Sequence, residues 1–148
     1  MSYTSLAYHI VFSTKERRPM IAPEILPRLI QYFGGLVRNL EGQMIEANGP
    51  ENHFHILAIL SHKIAVADCL REIKSRASGW VHETFAGMHG FGWQDGYSAF
   101  TVSRSAIPEV ARYVRIQQEH HKTMTFEEEL VRMLKKHGIK YDERYVFG

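Results

Sequence analysis

The chain has 148 residues, with 18 basic and 16 acidic side chains and a formal net charge of +2. This length fits one domain with its own hydrophobic core, and the near balance of charges does not by itself indicate a nucleic-acid partner. The single cysteine excludes an internal disulfide and a multi-cysteine zinc site. No apolar run is long enough to cross a bilayer and no signal-peptide pattern opens the chain, so we expect a cytoplasmic protein.

Six elements are predicted in the first two thirds of the chain. Runs rich in aromatic and β-branched residues, bounded by turn residues, predict strands. Apolar residues that recur at three- and four-residue spacing predict amphipathic helices. In chain order these patterns predict strand Leu6–Ser13, a helix over Ile25–Leu40 ended by Gly42, strands Gln43–Ala47 and His53–Leu60, a helix over Val66–Val81, and strand Tyr97–Ser103.

Two more helices are predicted in the last third. One begins near Pro108, since proline is tolerated in a first helical turn. The other follows Thr125, which forms a capping-box pattern with Glu128, and ends at Gly138. The first six elements match the ferredoxin-like β-α-β-β-α-β order. We therefore predict a single α+β domain over residues 1–148, a ferredoxin-like sheet with additional C-terminal helices.

Two histidines open the most apolar predicted strand: His53 and His55 flank Phe54. Residues two apart on a strand share a face, so both imidazoles project together. Two neutral imidazoles can share one metal ion, which needs at least one further ligand. With nine histidines in the chain, a pair without a metal is the commoner outcome for this pattern alone. The apolar setting favours a role, because burying two polar rings without one is costly.

Tyr113 and Gln117 lie four residues apart on a predicted helix and therefore share a face. A tyrosine hydroxyl is a poor nucleophile, and a nearby metal ion that polarises its target lowers the demand on it. A glutamine side-chain oxygen one turn away can ligate that metal. The alternative is an aromatic anchor beside a surface amide. None of the other six tyrosines is followed one helical turn later by a side chain that can bind a metal.

The sequence resembles the single-tyrosine HUH transposases, the insertion sequence 200/605 group and its REP-associated relatives. HUH denotes histidine, a hydrophobic residue and histidine, here His53–His55. The resemblance spans nearly the whole chain and rests on segments that occur in the family's order. They are YHIVFSTKERRP, ENHFHILAIL, REIKSRAS, FGWQDGYSAFTVS, YVRIQQEHHK, TFEEEL and YDERYVFG.

The resemblance implies a ferredoxin-like homodimer with a Mg²⁺ or Mn²⁺ ion held by His53, His55 and Gln117. It implies that Tyr113 attacks single-stranded DNA near hairpins that mark the ends of a mobile element. The attack would leave a 5′-phosphotyrosine link and a free 3′-hydroxyl, and a different 3′-hydroxyl would reverse the step. The tyrosine helix of one subunit would complete the active site of the other, in trans.

Contacts with DNA phosphates are expected from basic residues in two clusters. A solvated surface is the alternative for both clusters. The candidates are Arg17, Arg18, Lys74 and Arg76. The family often carries an acidic residue before the first histidine, where this chain has Asn52. Because groups that orient a metal-bound imidazole tune its affinity, this change leaves the strength of metal binding open.

Three functions are consistent with the sequence. The first is an active transposase that cleaves and rejoins single-stranded DNA, and the second is a domesticated relative that binds DNA hairpins without mobility. The third is a metal-dependent hydrolase that uses water, with Tyr113 merely structural. The intact set of His53, His55, Tyr113 and Gln117 favours the first. A hydrolase with two histidine motifs would need a second pair on another strand, whereas His120–His121 lies on a predicted helix.

Overall fold

The structure is a computed structural model that describes residues 1–148. It is a mixed α+β protein in which helices pack on both faces of one four-stranded sheet. The elements are β1 Ala7–Ser13, α1 Leu26–Asn39, β2 Gln43–Asn48, β3 His53–Ile59, α2 Val66–Thr84, β4 Ser98–Val102, α3 Ile107–Arg115, α4 Gln117–His120 and α5 Phe126–Lys136. None of the helices is both long and apolar enough to span a membrane.

The sheet has the strand order β2-β3-β1-β4, and every neighbouring pair is antiparallel. β1 and β3 are the two central strands, and their register pairs Val11 with His55 and Ser13 with His53. Helix α1 connects β1 to β2 and helix α2 connects β3 to β4. This is the ferredoxin-like arrangement, so the predicted fold class is confirmed.

The larger hydrophobic core lies between the sheet and the helices α1 and α2. Phe54 of β3 stacks on Phe33 of α1 with ring centroids 5.0 Å apart, and Phe12 of β1 meets Trp93 edge-on at 4.9 Å. All three phenylalanines are fully buried. This face therefore contributes most of the hydrophobic stabilisation, since burying one such side chain is worth roughly 1.5–3 kcal/mol.

The opposite face of the sheet carries two smaller apolar clusters with polar side chains between them. Leu57 packs under α3 together with Val114, and Val11 packs under α5 together with Phe126. Because β3 alternates its side chains, His53 and His55 point to this face while Phe54 points to the core. The polar side chains between the two clusters form the candidate site.

The predicted helix that carries Tyr113 and Gln117 is not continuous. Helix α3 ends at Arg115, Ile116 leaves the helical region with φ −103° and ψ 28°, and α4 begins at Gln117. The backbone carbonyl of Ile116 accepts two hydrogen bonds, from the amides of Glu119 and His120. This kink buries the Gln117 side chain completely.

Helix α5 begins and ends as its sequence predicts. Thr125 Oγ1 accepts a hydrogen bond from the Glu128 amide at 3.1 Å, the capping interaction expected of this pair. Gly138 follows the helix with φ +66°, a left-handed conformation that glycine adopts without strain. The cap fixes the first turns of α5, which carry Phe126 and Glu129 against the sheet.

Candidate metal centre and nucleophile

Three imidazoles and one carboxylate meet on the face of the sheet covered by α3 and α5. We call these residues, His53, His55, His121 and Glu129, the His–Glu cluster; their donor atoms all lie within 4.8 Å of one another. Glu129 Oε1 lies 3.0 Å from Nε2 of both His55 and His121, and 3.2 Å from Nε2 of His53. The side chains of His53, His55 and Glu129 are no more than 1% exposed.

Each cluster residue is positioned by a different part of the fold. His53 and His55 project from β3, which is held on both sides by neighbouring strands. His121 directly follows α4, and Glu129 lies in the capped first turns of α5. The short chain between α4 and α5 therefore brings a third imidazole and a carboxylate over the histidine strand.

The protonation of the cluster suits a divalent cation. Burial lowers the pKa of His53 to about 4, so its imidazole is neutral and has a free lone pair at neutral pH. Burial alone would raise the pKa of Glu129, but hydrogen bonds from His121 and His55, together with the adjacent His53 imidazole, outweigh it and hold that pKa well below its usual range. Imidazole nitrogens with an ionised carboxylate form a donor set of the kind that binds divalent metals in proteins.

Two buried polar atoms at this site have no hydrogen bond. His53 Nε2 lies near Glu129 without forming a hydrogen bond, and Gln117 Oε1 is buried without any partner. Two donors that each lie 2.2 Å from one ion are at most about 4.4 Å apart. The cluster needs to contract by only a few tenths of an ångström to meet that limit, so these residues fit a bound metal ion.

The Nδ1 atoms of His53 and His55 each have a side-chain hydrogen-bond partner. Asn52 Oδ1 lies 2.8 Å from His53 Nδ1, and His9 Nε2 lies 2.8 Å from His55 Nδ1. Such partners fix the orientation of a metal-binding imidazole. Asn52 thus fills the place of the acidic residue expected from the family. His9 was not identified from the sequence. Because strand residues alternate, its position two residues before Val11 on β1 places it on the sheet face that carries His55.

Tyr113 contacts the cluster directly. Its hydroxyl donates a hydrogen bond to Glu129 Oε2, the carboxylate oxygen that does not face the three imidazoles. Its ring lies 6.1 Å from the His55 ring and 5.9 Å from the His9 ring, centroid to centroid. Burial raises the pKa of Tyr113 above its ordinary value, and the negative charge of Glu129 raises it further. The phenol is therefore protonated at neutral pH until another group changes its surroundings.

Gln117 contacts Tyr113. Its side-chain amide donates to the Tyr113 carbonyl at 3.3 Å, and the fully buried side chain leaves Oε1 unpartnered. Its role as a metal ligand stays a prediction. Sequence reasoning missed His121 and Glu129; the one available signal was that His121 lies four residues beyond Gln117 and so extends the same spacing.

All of these contacts are made within a single chain. The resemblance predicted that the tyrosine helix reaches the histidine strand of a partner subunit, yet here Tyr113 and His55 of the same chain are adjacent. The described geometry brings Tyr113, the candidate nucleophile, and the cluster together within one chain. The homodimer itself stays a prediction.

The basic residues chosen as phosphate contacts are engaged with other parts of the chain. Arg17 pairs with Glu127 at 2.9 Å, and the exposed pairs Arg18–Glu16 and Arg76–Glu72 form local salt bridges. Lys74 differs from these because its ammonium donates to three backbone carbonyls, those of residues 94, 95 and 96. It is 8% exposed, and burial lowers its pKa to about 8. All three of its N–H donors are used, which argues against the predicted phosphate contact.

Two grooves open beside the cluster. One, of about 370 Å³, borders Tyr113 and is lined by Arg132 and Lys136. The other, of about 810 Å³, borders His121 and is lined by Asn52 and Phe126. The site is thus accessible from two sides although its central donors are buried.

The fold is thus an antiparallel α+β sheet with a tyrosine beside a buried His–Glu cluster that could hold a metal ion. A sequence profile of the family described as Transposase IS200 like matches residues 2–117. The chain therefore belongs to the IS200-like transposase family. No curated protein matches the chain.

Two solved structures share the fold. One is assigned as a transposase from Deinococcus radiodurans R1, with a TM-score of 0.59, 18% identity, and coverage of 79% of this chain and 95% of its own. The other is a REP-associated tyrosine transposase bound to a REP hairpin, with a TM-score of 0.60, 16% identity, and coverage of 82% and 74%. At these identities the likeness concerns the fold alone.

Proposed function

We propose that this chain is a transposase that cleaves and rejoins single-stranded DNA through a covalent bond to Tyr113, with the help of a divalent cation. The observation that carries the proposal is the shared carboxylate of Glu129. One of its oxygens faces three imidazoles and the other accepts the hydrogen bond of Tyr113. A nucleophile and a candidate metal centre joined by one side chain suit phosphoryl transfer.

The reaction follows from this arrangement. The Tyr113 oxygen attacks the scissile phosphorus, the bond from phosphorus to the 3′-oxygen breaks, and that oxygen leaves as a 3′-hydroxyl. Glu129 Oε2, which accepts the phenol hydrogen bond, takes the phenol proton, and water supplies a proton to the departing 3′-oxygen. Joining is the reverse, in which another 3′-hydroxyl expels the tyrosine. Because each step exchanges one phosphodiester for another, no nucleotide triphosphate is consumed.

His53 and His55 would hold the cation, and Gln117 is a further candidate through its unpartnered oxygen. When bound, a Mg²⁺ or Mn²⁺ ion would polarise the scissile phosphate and stabilise its developing charge. Asn52 and His9 orient the two strand imidazoles by hydrogen bonds to Nδ1. The side chains of His53, His55 and Glu129 are buried beneath α3 and α5, and the two grooves leave Tyr113 and His121 accessible to DNA.

The DNA partner is proposed to be a single strand marked by hairpins. The REP-associated relative was solved with a REP hairpin, which supports a hairpin-bearing substrate here. Arg18 and Arg76 keep exposed side chains and stay candidates for phosphate contacts, as does Arg17, which lines the wider groove. A homodimer is proposed as the working assembly.

The test is a covalent adduct. The protein is incubated with single-stranded DNA from its own genomic flanks and Mn²⁺ or Mg²⁺, then run on a denaturing gel. We expect an adduct in the wild type and in Tyr145→Phe, whose tyrosine is 71% exposed and remote from the cluster, and none in Tyr113→Phe.

Other outcomes of this experiment contradict the proposal in distinct ways. Cleavage without an adduct that persists in Tyr113→Phe would identify a metal-dependent hydrolase. Metal-dependent binding to the hairpin with neither cleavage nor adduct would identify a domesticated hairpin-binding protein.

A further inference from the structure

We propose that His121 and Glu129 are direct metal ligands together with His53 and His55, and that this set prefers transition-metal ions such as Mn²⁺ and Zn²⁺ to Mg²⁺. The inference rests on the proposed function for the presence of a divalent cation. It adds two ligands from the part of the chain beyond residue 117, where the family match ends.

The first argument is geometric. Glu129 Oε1 lies 3.0–3.2 Å from the Nε2 atoms of all three histidines, so four donor atoms converge on one small volume. The Gln117 oxygen is also buried, without a hydrogen-bond partner. His121 is 10% exposed at the mouth of the wider groove, which gives an ion a route to the cluster.

The second argument is electrostatic. A carboxylate this buried is costly unless positive charge or hydrogen bonds offset it. The Glu129 carboxylate is 1% exposed and accepts hydrogen bonds from His55, His121 and Tyr113, but no lysine or arginine forms a salt bridge with it. A cation between the carboxylate and the imidazoles would supply the missing charge.

The third argument is the chemistry of the donors. Mg²⁺ binds oxygen ligands, keeps several waters and is rarely enclosed by a full set of protein ligands. Imidazole nitrogen suits first-row transition ions, and affinity for a nitrogen–oxygen site rises from Mn²⁺ towards Zn²⁺. Three imidazoles and one carboxylate therefore favour Zn²⁺ and Mn²⁺ over Mg²⁺. A site with only His53, His55 and the Gln117 amide would discriminate less.

The test measures metal binding directly, without DNA. Full-length protein is titrated with Mn²⁺, Zn²⁺ or Mg²⁺ by calorimetry. The variants His121→Asn and Glu129→Gln are compared with His120→Asn and Glu128→Gln. His120 packs on the Tyr113 ring and Glu128 belongs to the helix cap, so neither control lies in the cluster. Thermal unfolding with and without metal checks that each variant folds.

We expect Mn²⁺ to bind at least about tenfold more tightly than Mg²⁺, and Zn²⁺ more tightly than Mn²⁺. His121→Asn and Glu129→Gln should each weaken Mn²⁺ binding by at least about tenfold and reduce the metal-induced rise in Tm, while the controls match the wild type. Folded cluster variants that bind Mn²⁺ like the wild type would overturn the assignment of ligands. Equal affinity for Mn²⁺ and Mg²⁺ would overturn the preference.

This result is separable from the proposed function. If the wild type forms the DNA adduct but both cluster variants keep wild-type metal affinity, the ligand assignment fails and the proposed function stands. If metal binding depends on His121 and Glu129 but no adduct forms, the proposed function fails and the ligand assignment stands.

Discussion

The side-chain oxygen of Asn52 lies 2.8 Å from Nδ1 of His53, at the position where a carboxylate was expected. A donor N–H on Nδ1 leaves the lone pair on Nε2, the atom that faces the cluster. The neutral amide therefore orients the imidazole without adding a second negative charge to the buried site.

Replacing Asn52 should weaken metal binding. We expect Asn52→Ala to lower Mn²⁺ affinity by roughly 10–100-fold, because the imidazole loses its orienting partner. Asn52→Asp should keep or raise the affinity. Calorimetry on the purified variants measures both, with the exposed Asn39→Ala as the control. Wild-type affinity in Asn52→Ala would mean that the sheet alone fixes the ring.

Removing the Tyr113 hydroxyl should affect stability as well as chemistry. In Tyr113→Phe, Glu129 Oε2 loses its hydrogen-bond donor while buried. We expect a loss of about 1–2 kcal/mol in the free energy of unfolding, measured by urea denaturation in a chelator. Because the ring is retained, the packing on His120 and His9 should persist. A stability equal to that of wild type would show that water replaces the donor.

Lys74 is expected to act in folding and not in DNA binding. Lys74→Met removes three hydrogen bonds that hold residues 94–96 against α2, and should destabilise the protein by about 2–4 kcal/mol. Arg76→Met, on an exposed pair, should change stability by less than about 0.5 kcal/mol. If Lys74→Met leaves stability unchanged and weakens the salt dependence of DNA binding, the result would support the original prediction that Lys74 contacts a DNA phosphate.

Arg132 and Lys136 are expected to contribute to DNA affinity. Both line the groove beside Tyr113, neither forms a salt bridge, and they outnumber the one carboxylate there, Glu109. On single strands each phosphate contact contributes about 0.7 to the slope of log affinity against log salt. Arg132→Gln and Lys136→Gln should each reduce that slope by about this amount in fluorescence anisotropy. Arg38→Gln, an exposed residue on α1, is the control, and equal slopes in all three would contradict the prediction.

Acid should destabilise the metal-free protein. Burial lowers the pKa of His9 to about 3 and that of His53 to about 4, from 6.5. Below pH 6.5 the unfolded chain therefore binds protons that the folded chain does not, and the free energy of unfolding falls until pH reaches the folded pKa values. The slope approaches about 1.4 kcal/mol per pH unit for each histidine.

Urea denaturation between pH 7 and pH 5 in a chelator measures this slope. His9→Gln should make it shallower, because one of the two imidazoles whose pKa is lowered by burial is gone. An identical slope in the variant would show that His9 is protonated in the folded chain.

The parts of the structure that depend on short-range pattern were predictable. Period-two alternation put His53 and His55 on one face and Phe54 on the other, and the capping pair Thr125–Glu128 located the start of α5. These patterns are local, so one strand or one helical turn is enough to recognise them. The element order then confirmed the ferredoxin-like fold.

The parts that depend on long-range packing were not predictable. Glu129 reaches the cluster only because α5 folds back over β3, and His121 only because the chain kinks at Ile116. His9 meets His55 through strand pairing across 46 residues. Likewise, the sequence around Lys74 does not predict that its ammonium donates to the carbonyls of residues 94–96.

The alternation over residues 53–56 of β3 gives neighbouring substitutions different outcomes. Substitutions at Phe54 and Ile56 enter the core under α1 and α2, and would appear in a saturation library as poorly expressed or insoluble protein. Substitutions at His53 and His55 would appear as soluble protein without metal-dependent chemistry. A selection for solubility and a selection for transposition would therefore retain different sets of variants from one seven-residue strand.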